Sequence, residues 1–101
     1  MAAGDIRDAG PHNPIREFQV AASPASVAAN TTAASDITVT GVETTDMLLA
    51  VVKPTAQAGL GIVGWRIKAA NTVEVVFSNN TAGAIVPTAS EVYLVTVAKG
   101  A

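Results

Sequence analysis

Residues 60–78 read LGIVGWRIKAANTVEVVFS, with two alternating runs of apolar and polar side chains on either side of the short stretch Ala69-Ala70-Asn71. The pattern predicts a β-hairpin with a three-residue loop, in which Asn71 takes the left-handed backbone conformation that asparagine tolerates. A two-residue loop would instead place Ile67 opposite Glu74 and turn half of the side chains to the wrong face. The longer loop gives every residue a suitable partner: Ile67 with Val73, Trp65 with Val75, Val63 with Phe77, and Arg66 with Glu74.

Further strands are predicted on both sides of this hairpin. Asp36–Thr40 alternates, with its aliphatic residues facing inward. Asp46–Lys53 is a continuous apolar run that ends at Pro54, which indicates a strand covered on both faces, or on one face by a neighbouring subunit. A short helix ended by the proline is the alternative for this run. Glu91–Lys99 is the last predicted strand.

The fold class follows from the number and spacing of these segments. The chain has about six short strands separated by polar turns, and it contains no convincing helix. We therefore predict an all-β fold, an antiparallel β-sandwich of jelly-roll-like type. Trp65 shares the apolar face of the hairpin with Val75 and Phe77, so we expect it in the core, although tryptophan also anchors interfaces well.

Residues 1–35 differ from the rest of the chain, because prolines at positions 11, 14 and 24 interrupt regular structure. Ala21–Ala34 is rich in Ala, Ser and Thr and has no amphipathic stripe, which argues against a helix. Only Ile15–Val20 alternates in a way that suits a short strand. We predict an extended N-terminal arm and connection over residues 1–35, with the arm itself at 1–14, and a β-sandwich domain over residues 36–101.

The composition argues against several classes of function. The chain has 101 residues and a net charge of −2, and its six basic residues are scattered singly, so the basic surface of a nucleic-acid-binding protein is missing. It has no cysteine and therefore no disulfide or thiolate metal site. The longest apolar run, Met47–Val52, is too short to span a bilayer, and we expect a soluble protein made in the cytosol with no membrane partner. Only four residues are aromatic, and a core this small is often helped by oligomerisation.

No group of residues has the spacing of a catalytic or metal site. His12 is the only histidine and lies in the predicted arm, without partners held in fixed geometry. The carboxylates at strand starts are explained by turn hydrogen bonding, and no serine has a nucleophile-elbow pattern. Residues 59–64 read G-x-G-x-x-G, but a hairpin follows them instead of the helix that a phosphate loop requires. We expect neither an enzyme nor a cofactor-binding protein.

Three segments form a pattern together: ITVTGV at 37–42, LGIVGWRIKAANTVEVVFSNNTAGAIVP at 60–87 and YLVTVAK at 93–99. The pattern consists of a Thr/Val strand, a glycine-rich approach, a hairpin, and a turn of the form N-TAGA-P. It resembles the head decoration (cement) proteins of tailed bacteriophages, and related segments occur in phage fibre-type and tail-associated proteins. The similarity covers residues 36–99 and not the arm, and Trp65 stands where the pattern has a small residue.

The resemblance implies a β-sandwich module that forms homotrimers, sits on the capsid surface of the virion and reinforces the lattice by binding the major capsid protein. No catalytic residue belongs to the pattern. We predict that the arm bridges to the capsid or to an adjacent copy through Ile6, Arg7, Pro11, His12, Pro14 and Ile15. The alternative is a receptor- or carbohydrate-binding module of a phage tail fibre or baseplate. Sugar sites usually display exposed aromatic side chains, however, and Trp65 and Tyr93 are both expected to be buried.

Overall fold

The computed structural model describes residues 15–100, and every regular element in this range is a β-strand. The strands are β1 (Ile15–Ala22), β2 (Thr31–Thr38), β3 (Met47–Val52), β4 (Leu60–Ala69), β5 (Thr72–Asn79) and β6 (Glu91–Ala98). Sheet 1 contains β1, β6 and β3 in that order, and sheet 2 contains β2, β5 and β4. All neighbouring strands are antiparallel. The predicted all-β, antiparallel sandwich is confirmed.

The two sheets enclose one core, which is centred on β5 and β6. The strands β1 to β4 alternate between the sheets, while β5 and β6 occupy the two central positions. This winding is that of a jelly-roll-like sandwich with few strands. Every second residue of the central strands is buried, and these residues face one another between the sheets: Val73, Val75, Phe77 and Asn79 on β5, and Glu91, Tyr93, Val95 and Val97 on β6.

The β4–β5 hairpin has the predicted register from Trp65 to Ile67, but the register shifts between Ile67 and Ala69, so that Ala69 lies opposite Thr72 and only Ala70 and Asn71 lie between the strands, not the three residues predicted. Asn71 has a φ of 63°, which is the left-handed conformation. The loop is also held from outside, because Asn71 Oδ1 accepts a hydrogen bond from Gly41 N at 2.8 Å and Asn71 N donates to Val42 O at 2.8 Å. These two hydrogen bonds therefore attach the hairpin loop to the segment that connects β2 and β3. Three of the four predicted pairs are confirmed: Ile67 with Val73, Trp65 with Val75, and Arg66 with Glu74.

The predicted pairing of Val63 with Phe77 is wrong. The register shifts between Ile62 and Gly64, so that Ile62 lies opposite Phe77 and Val63 is the extra residue of a β-bulge. Bulges are frequent on edge strands, and β4 is an edge of sheet 2. Val63 is consequently 62% exposed. Trp65 does not lie in the core as predicted but is 40% exposed, because its strand is the last of the sheet.

The N-terminal part of the described chain also differs from the prediction. Residues 15–22 form β1, which pairs along its whole length with β6. The strand β2 begins at Thr31, where the sequence predicted a connection that would continue to residue 35. The sandwich therefore includes residues 15–35, which were expected to precede it. The predicted arm at 1–14 lies outside the described residues.

Small side chains explain why the tract before Asp36 is a strand. Ala33 lies opposite Phe77, and Ser35 lies opposite Val75. Small residues on the core side of β2 leave room for the larger side chains of the central strand, and a close-packed core requires such complementary volumes. The polar and small composition that suggests a loop is thus compatible with an edge strand.

The apolar run at 46–53 forms the edge strand β3 of sheet 1 and not a helix. Val51 is buried in the core, whereas Met47, Leu49 and Val52 are exposed. A register shift between Leu48 and Ala50 makes Leu49 the extra residue of a bulge in this strand. In one copy of the chain, this strand is therefore covered on one face only.

The turn after β5 is built around the buried side chain of Asn79. Its Nδ2 donates to Val27 O at 3.0 Å and to Gly83 O at 2.8 Å, and its Oδ1 accepts from Thr81 N at 2.9 Å and Thr81 Oγ1 at 2.8 Å. Gly59 lies beside this turn with a φ of 81°, and a Cβ at that position would overlap the Thr81 methyl group. The turn SNNTAGA at 78–84 is therefore part of the scaffold.

Candidate interaction surfaces

Of the predicted partner-binding residues, only Ile15 lies within the described residues 15–100. Ile15 is the first residue of β1 and is exposed. It lies opposite Ala98, which in turn lies opposite Met47, so the three residues form a row across sheet 1. The other predicted residues lie outside residues 15–100: Ile6, Arg7, Pro11, His12 and Pro14.

Sheet 1 has a predominantly apolar outer face. Side chains alternate along a strand, so the residues of β6 that lie between its buried residues point away from the core. The residues of β1 and β3 that lie opposite these outward residues belong to the same face. Met47 is 64% exposed and Val92 is 51% exposed. We call this surface the outer face of sheet 1, and its residues are Ile15, Glu17, Gln19 and Ala21 on β1, Met47, Ala50 and Val52 on β3, and Val92, Leu94, Thr96 and Ala98 on β6.

The outer face of sheet 2 is polar in contrast. Arg66 Nε lies 2.8 Å from Glu74 Oε1, and Lys68 Nζ lies 3.0 Å from Asp36 Oδ2. The hydrogen bond from Arg66 to Glu74 raises the pKa of Arg66, with a further contribution from the charge of Glu74. Threonine and serine side chains occupy other outward positions of this sheet, for example Thr32, which lies opposite Ser78. One sheet thus turns a hydrated face outward and the other an apolar one.

A groove of about 290 Å³ opens between β3 and β4, where the edges of the two sheets approach each other. Gly61 and Leu60 line this groove and also the adjoining depression beside Val63. The groove therefore continues toward the exposed part of β4. Its apolar lining consists of Val51, Val52, Ala56, Leu60, Ile62 and Phe77.

The polar side chains at this groove are occupied by contacts within the chain. Lys53 Nζ lies 3.1 Å from Glu91 Oε1 and donates to Thr55 O at 2.8 Å and Thr55 Oγ1 at 3.1 Å. Gln57 Nε2 donates to Val86 O at 3.0 Å, and Gln57 Oε1 accepts from Thr88 N at 3.0 Å. The groove consequently offers apolar contacts and suits an aliphatic or aromatic side chain better than an anion or a sugar.

The ion pair between Lys53 and Glu91 is largely buried. The Thr55 hydroxyl donates to Glu91 Oε2 and is the main cause of the lowered pKa of Glu91, and Lys53 adds to the effect. Glu91 is therefore a carboxylate at neutral pH. Its charge is matched within the chain, so it leaves no unpaired charge at the groove.

Tyr93 is the only tyrosine of the chain, and its side chain is fully buried in the core. Its hydroxyl has no hydrogen-bond partner in the described part of the chain. Burial raises the pKa of Tyr93 to about 12, and the negative charge of Glu91 contributes. Because a tyrosine in an unfolded chain ionises near pH 10, the unfolded state releases its proton first, and stability falls as the pH rises from about 10 toward 12.

We predict that Tyr93→Phe leaves the free energy of unfolding at pH 7 unchanged within about 1 kcal/mol, or raises it, because the hydroxyl that is removed forms no hydrogen bond in the core. The substitution should also diminish the loss of stability above pH 10. Urea unfolding at neutral and alkaline pH measures both effects. Ultraviolet absorbance follows ionisation of the single tyrosine directly, and a titration midpoint near pH 10 in the folded protein would contradict the prediction.

Metal and phosphate sites find no support in residues 15–100. Within this range, no group of three or more histidine, cysteine, aspartate or glutamate side chains is placed to hold a metal ion. The G-x-G-x-x-G motif at 59–64 runs from a turn into β4, as expected, and no helix follows it. The same range contains no helix that is long and apolar enough to cross a membrane.

Sequence reasoning missed the exposed part of β4, although the sequence contains a signal for it. Ile62 and Trp65 both face the core side of the sheet but are three residues apart, whereas side chains on one face of a regular strand recur every second residue. This break in the alternation marks the bulge at Val63. Val63 and Trp65 are both partly exposed, but Val63 lies on the outer side of β4, beside Ser78, and Trp65 on the core side.

In comparisons with known proteins, no family model, curated protein or solved structure matches the chain.

Proposed function

We propose that this chain is a structural virion protein that decorates and stabilises a phage capsid as a trimer, by bridging neighbouring capsid subunits. Its partners are other copies of itself and the major capsid protein. Cementing adds binding energy across capsomer junctions, and a trimer engages several capsid subunits at once. Linked contacts of this kind raise the effective concentration of each one.

The observation that carries the proposal is the apolar outer face of sheet 1. Single exposed apolar residues are common on monomeric proteins, but a contiguous apolar face on one sheet is typical of a protein–protein contact. The polar outer face of sheet 2, with its two ion pairs, has the character of a hydrated surface. The resemblance of residues 36–99 to cement proteins supports the same proposal.

One observation favours the alternative, a receptor- or carbohydrate-binding module of a tail fibre or baseplate. Trp65 is partly exposed, although it was expected to be buried, and exposed aromatic side chains are common in sugar sites. Trp65 does not line the groove between β3 and β4, and the polar groups of that groove are occupied by contacts within the chain. Convergent free polar groups, which would orient a sugar, are missing from this part of the surface.

The two functions differ in copy number and position on the virion. A cement protein is expected in many copies over the head, and a fibre or baseplate module in a few copies on the tail. Electron cryo-microscopy of the source virion, or the band intensity of the protein on a stained gel of purified virions, distinguishes them. A few copies confined to the tail would contradict the capsid proposal and support the alternative.

Removal of residues 1–14 is predicted to abolish association with capsids and to leave the sandwich folded, because the six strands of the described chain lie within residues 15–98. Co-sedimentation with capsids that lack the protein measures binding, and circular dichroism checks the fold. The full-length variant Thr32→Glu, changed on the polar face of sheet 2, is the control and should still bind. Undiminished binding of the truncated protein would exclude the proposed role of the arm.

A further inference from the structure

We propose that the outer face of sheet 2 binds a neutral polysaccharide at the end where β5 finishes. The site consists of two neighbouring depressions, which share Ser78 and Asn80. None of its residues belongs to the outer face of sheet 1. The inference therefore goes beyond the proposed function, because it assigns a ligand to the face that the capsid contact leaves free.

The register places four polar side chains in two rows on this face. Thr32 lies opposite Ser78, and Ser78 lies opposite Gly61 in the neighbouring strand. Asn30 directly precedes β2 and Asn80 directly follows β5, so the two asparagines continue the same register by one row. Rows on one face are about 7 Å apart and neighbouring strands about 5 Å apart. The four polar side chains are therefore close enough to contact one ligand together.

These four side chains have free hydrogen-bonding groups. Within residues 15–100, none of them donates or accepts a hydrogen bond through its side chain. The charged side chains farther along the same face are paired, and the side chains of Asn79 and Thr81 in the adjoining turn are also bonded. Hydroxyl and amide groups both donate and accept, and each hydroxyl group of a sugar does the same. The free groups thus match the chemistry of a saccharide.

The two depressions lie on either side of Ser78 and have volumes of about 420 Å³ and about 350 Å³. Glycine keeps the smaller one open. A Cβ at Gly61 would meet no atom within 4 Å, and a Cβ at Gly59 would crowd Asn80 Oδ1 at 3.2 Å. Val63 is exposed in this depression and provides an apolar contact for the C–H groups of a sugar ring.

The absence of charge at the site determines the class of ligand. Among the residues that the structure describes, no charged side chain lines either depression, so an anion or a cation has no partner of opposite charge there. The two depressions extend across the sheet from β2 to β4, a width of about 10 Å. A polysaccharide chain without charge fits this arrangement, because it supplies hydroxyl groups along its whole length.

The backbone of the site is fixed before any ligand binds. Asn30 N donates to Thr81 O at 3.1 Å, and Asn80 N donates to Gly59 O at 3.0 Å. A site that is already ordered loses less entropy on binding. The site is exposed and small, so one copy is expected to bind weakly, and several copies on one particle raise the apparent affinity.

NMR titration of the full-length protein tests the proposal with three neutral probes: maltohexaose, mannohexaose and chitotetraose. At least one probe should shift the amide signals of Ser78, Asn80 and Gly61 saturably, with a dissociation constant below about 10 mM. The amide signals of Val92 and Leu94, on the outer face of sheet 1, should not move. The proposal is overturned if no probe shifts the signals at Ser78 and Asn80 saturably up to about 20 mM, or if the saturable shifts lie on sheet 1.

Two variants connect the binding to the free polar groups. Ser78→Ala and Asn80→Ala should each weaken binding of the probe by about threefold or more, since each removes hydrogen bonds to the ligand. Thr38→Ala is the matched control, because Thr38 lies opposite Thr72 at the other end of the same face. It should leave the affinity unchanged. Equal affinity in all three variants and the unmodified protein would show that the saccharide binds elsewhere.

The outcome can be separated from that of the proposed function. The outer faces of the two sheets point in opposite directions, so Asn80→Ala should still co-sediment with capsids. A protein that decorates the head and binds none of the three probes would overturn this inference alone. A protein that binds a probe at Ser78 and Asn80 but is absent from the head would overturn the capsid function alone.

Discussion

Phe77→Ala is expected to lower the free energy of unfolding by about 3–5 kcal/mol, the usual cost of removing a buried aromatic side chain and leaving a cavity. Phe77 is fully buried at the centre of sheet 2, with Ala33 on one side and Ile62 on the other. Whole domains of this size are stable by about 5–15 kcal/mol, so the variant should be close to unfolding. Urea denaturation, followed by circular dichroism, measures the loss.

Val63→Ala is the matched control, and it also tests the bulge. In the register expected from alternation alone, Val63 would lie opposite Phe77 in the core, and its truncation would be costly. In the structure Val63 is the exposed extra residue, so the change should stay within about 0.5 kcal/mol. A loss comparable to that of Phe77→Ala would contradict the bulged register.

Asn79→Ala is expected to lower the free energy of unfolding by at least about 2 kcal/mol, because it removes the four hydrogen bonds of the buried Asn79 side chain. The carbonyl groups of Val27 and Gly83 each lose one of two donors, and Thr81 N loses its acceptor. The removed side chain is small, so the effect comes from hydrogen bonding more than from lost apolar contact. Thermal and urea unfolding should both show the decrease.

Asn80→Ala provides the comparison for this variant. Asn80 has the same side chain one residue later, but it is exposed and takes part in the turn through its backbone, whose N donates to Gly59 O at 3.0 Å. The substitution should therefore change the free energy of unfolding by less than about 0.5 kcal/mol. Equal losses in the two variants would mean that the Asn79 network does not stabilise the turn.

The pairing of Trp65, Arg66 and Ile67 with β5 was predictable because it depends on nearby residues, whereas the register shift between Ile67 and Ala69 was not predicted. Asn71 accepts the left-handed conformation at low cost, and a short loop of given length allows few pairings. The pairing of Arg66 with Glu74 follows directly from it. Farther from the loop the predicted pairing of Val63 with Phe77 was wrong, because Val63 is the extra residue of a bulge on an edge strand. Which strand lies at the edge of a sheet is known only once the whole fold is assembled.

The extent of the domain was predictable only in part, because composition is a weak guide for strands that face large neighbours. Ile15–Val20 showed an alternating pattern, but the tract after it was rich in small and polar residues. Its identity as β2 depends on Phe77 and Val75, which are more than 35 residues away in sequence and require small partners. Such a requirement cannot be recognised until the pairing of the strands is known.

The candidate surfaces were also predicted only in part from the sequence. The apolar run at 46–53 predicted that a strand needs cover on its second face, and the structure leaves Met47 and Val52 exposed on that face. The groove was not predicted, since it combines residues from β3, β4 and the loop between them. The predicted contact residues of the arm, apart from Ile15, lie outside the described chain.

The sequence by itself determined the all-β class and the pairing of Trp65–Ile67 with β5, because alternation and loop geometry act over a few neighbouring residues. The tertiary structure decided which strands are central and which are edges, and therefore which apolar side chains are buried. Tyr93 and Trp65 illustrate the difference: both are large residues on the core side of a strand, but Tyr93 lies on a central strand and is enclosed, whereas Trp65 lies on an edge and remains partly exposed. Exposure depends on what lies beside and above a strand, and long-range packing alone supplies those neighbours.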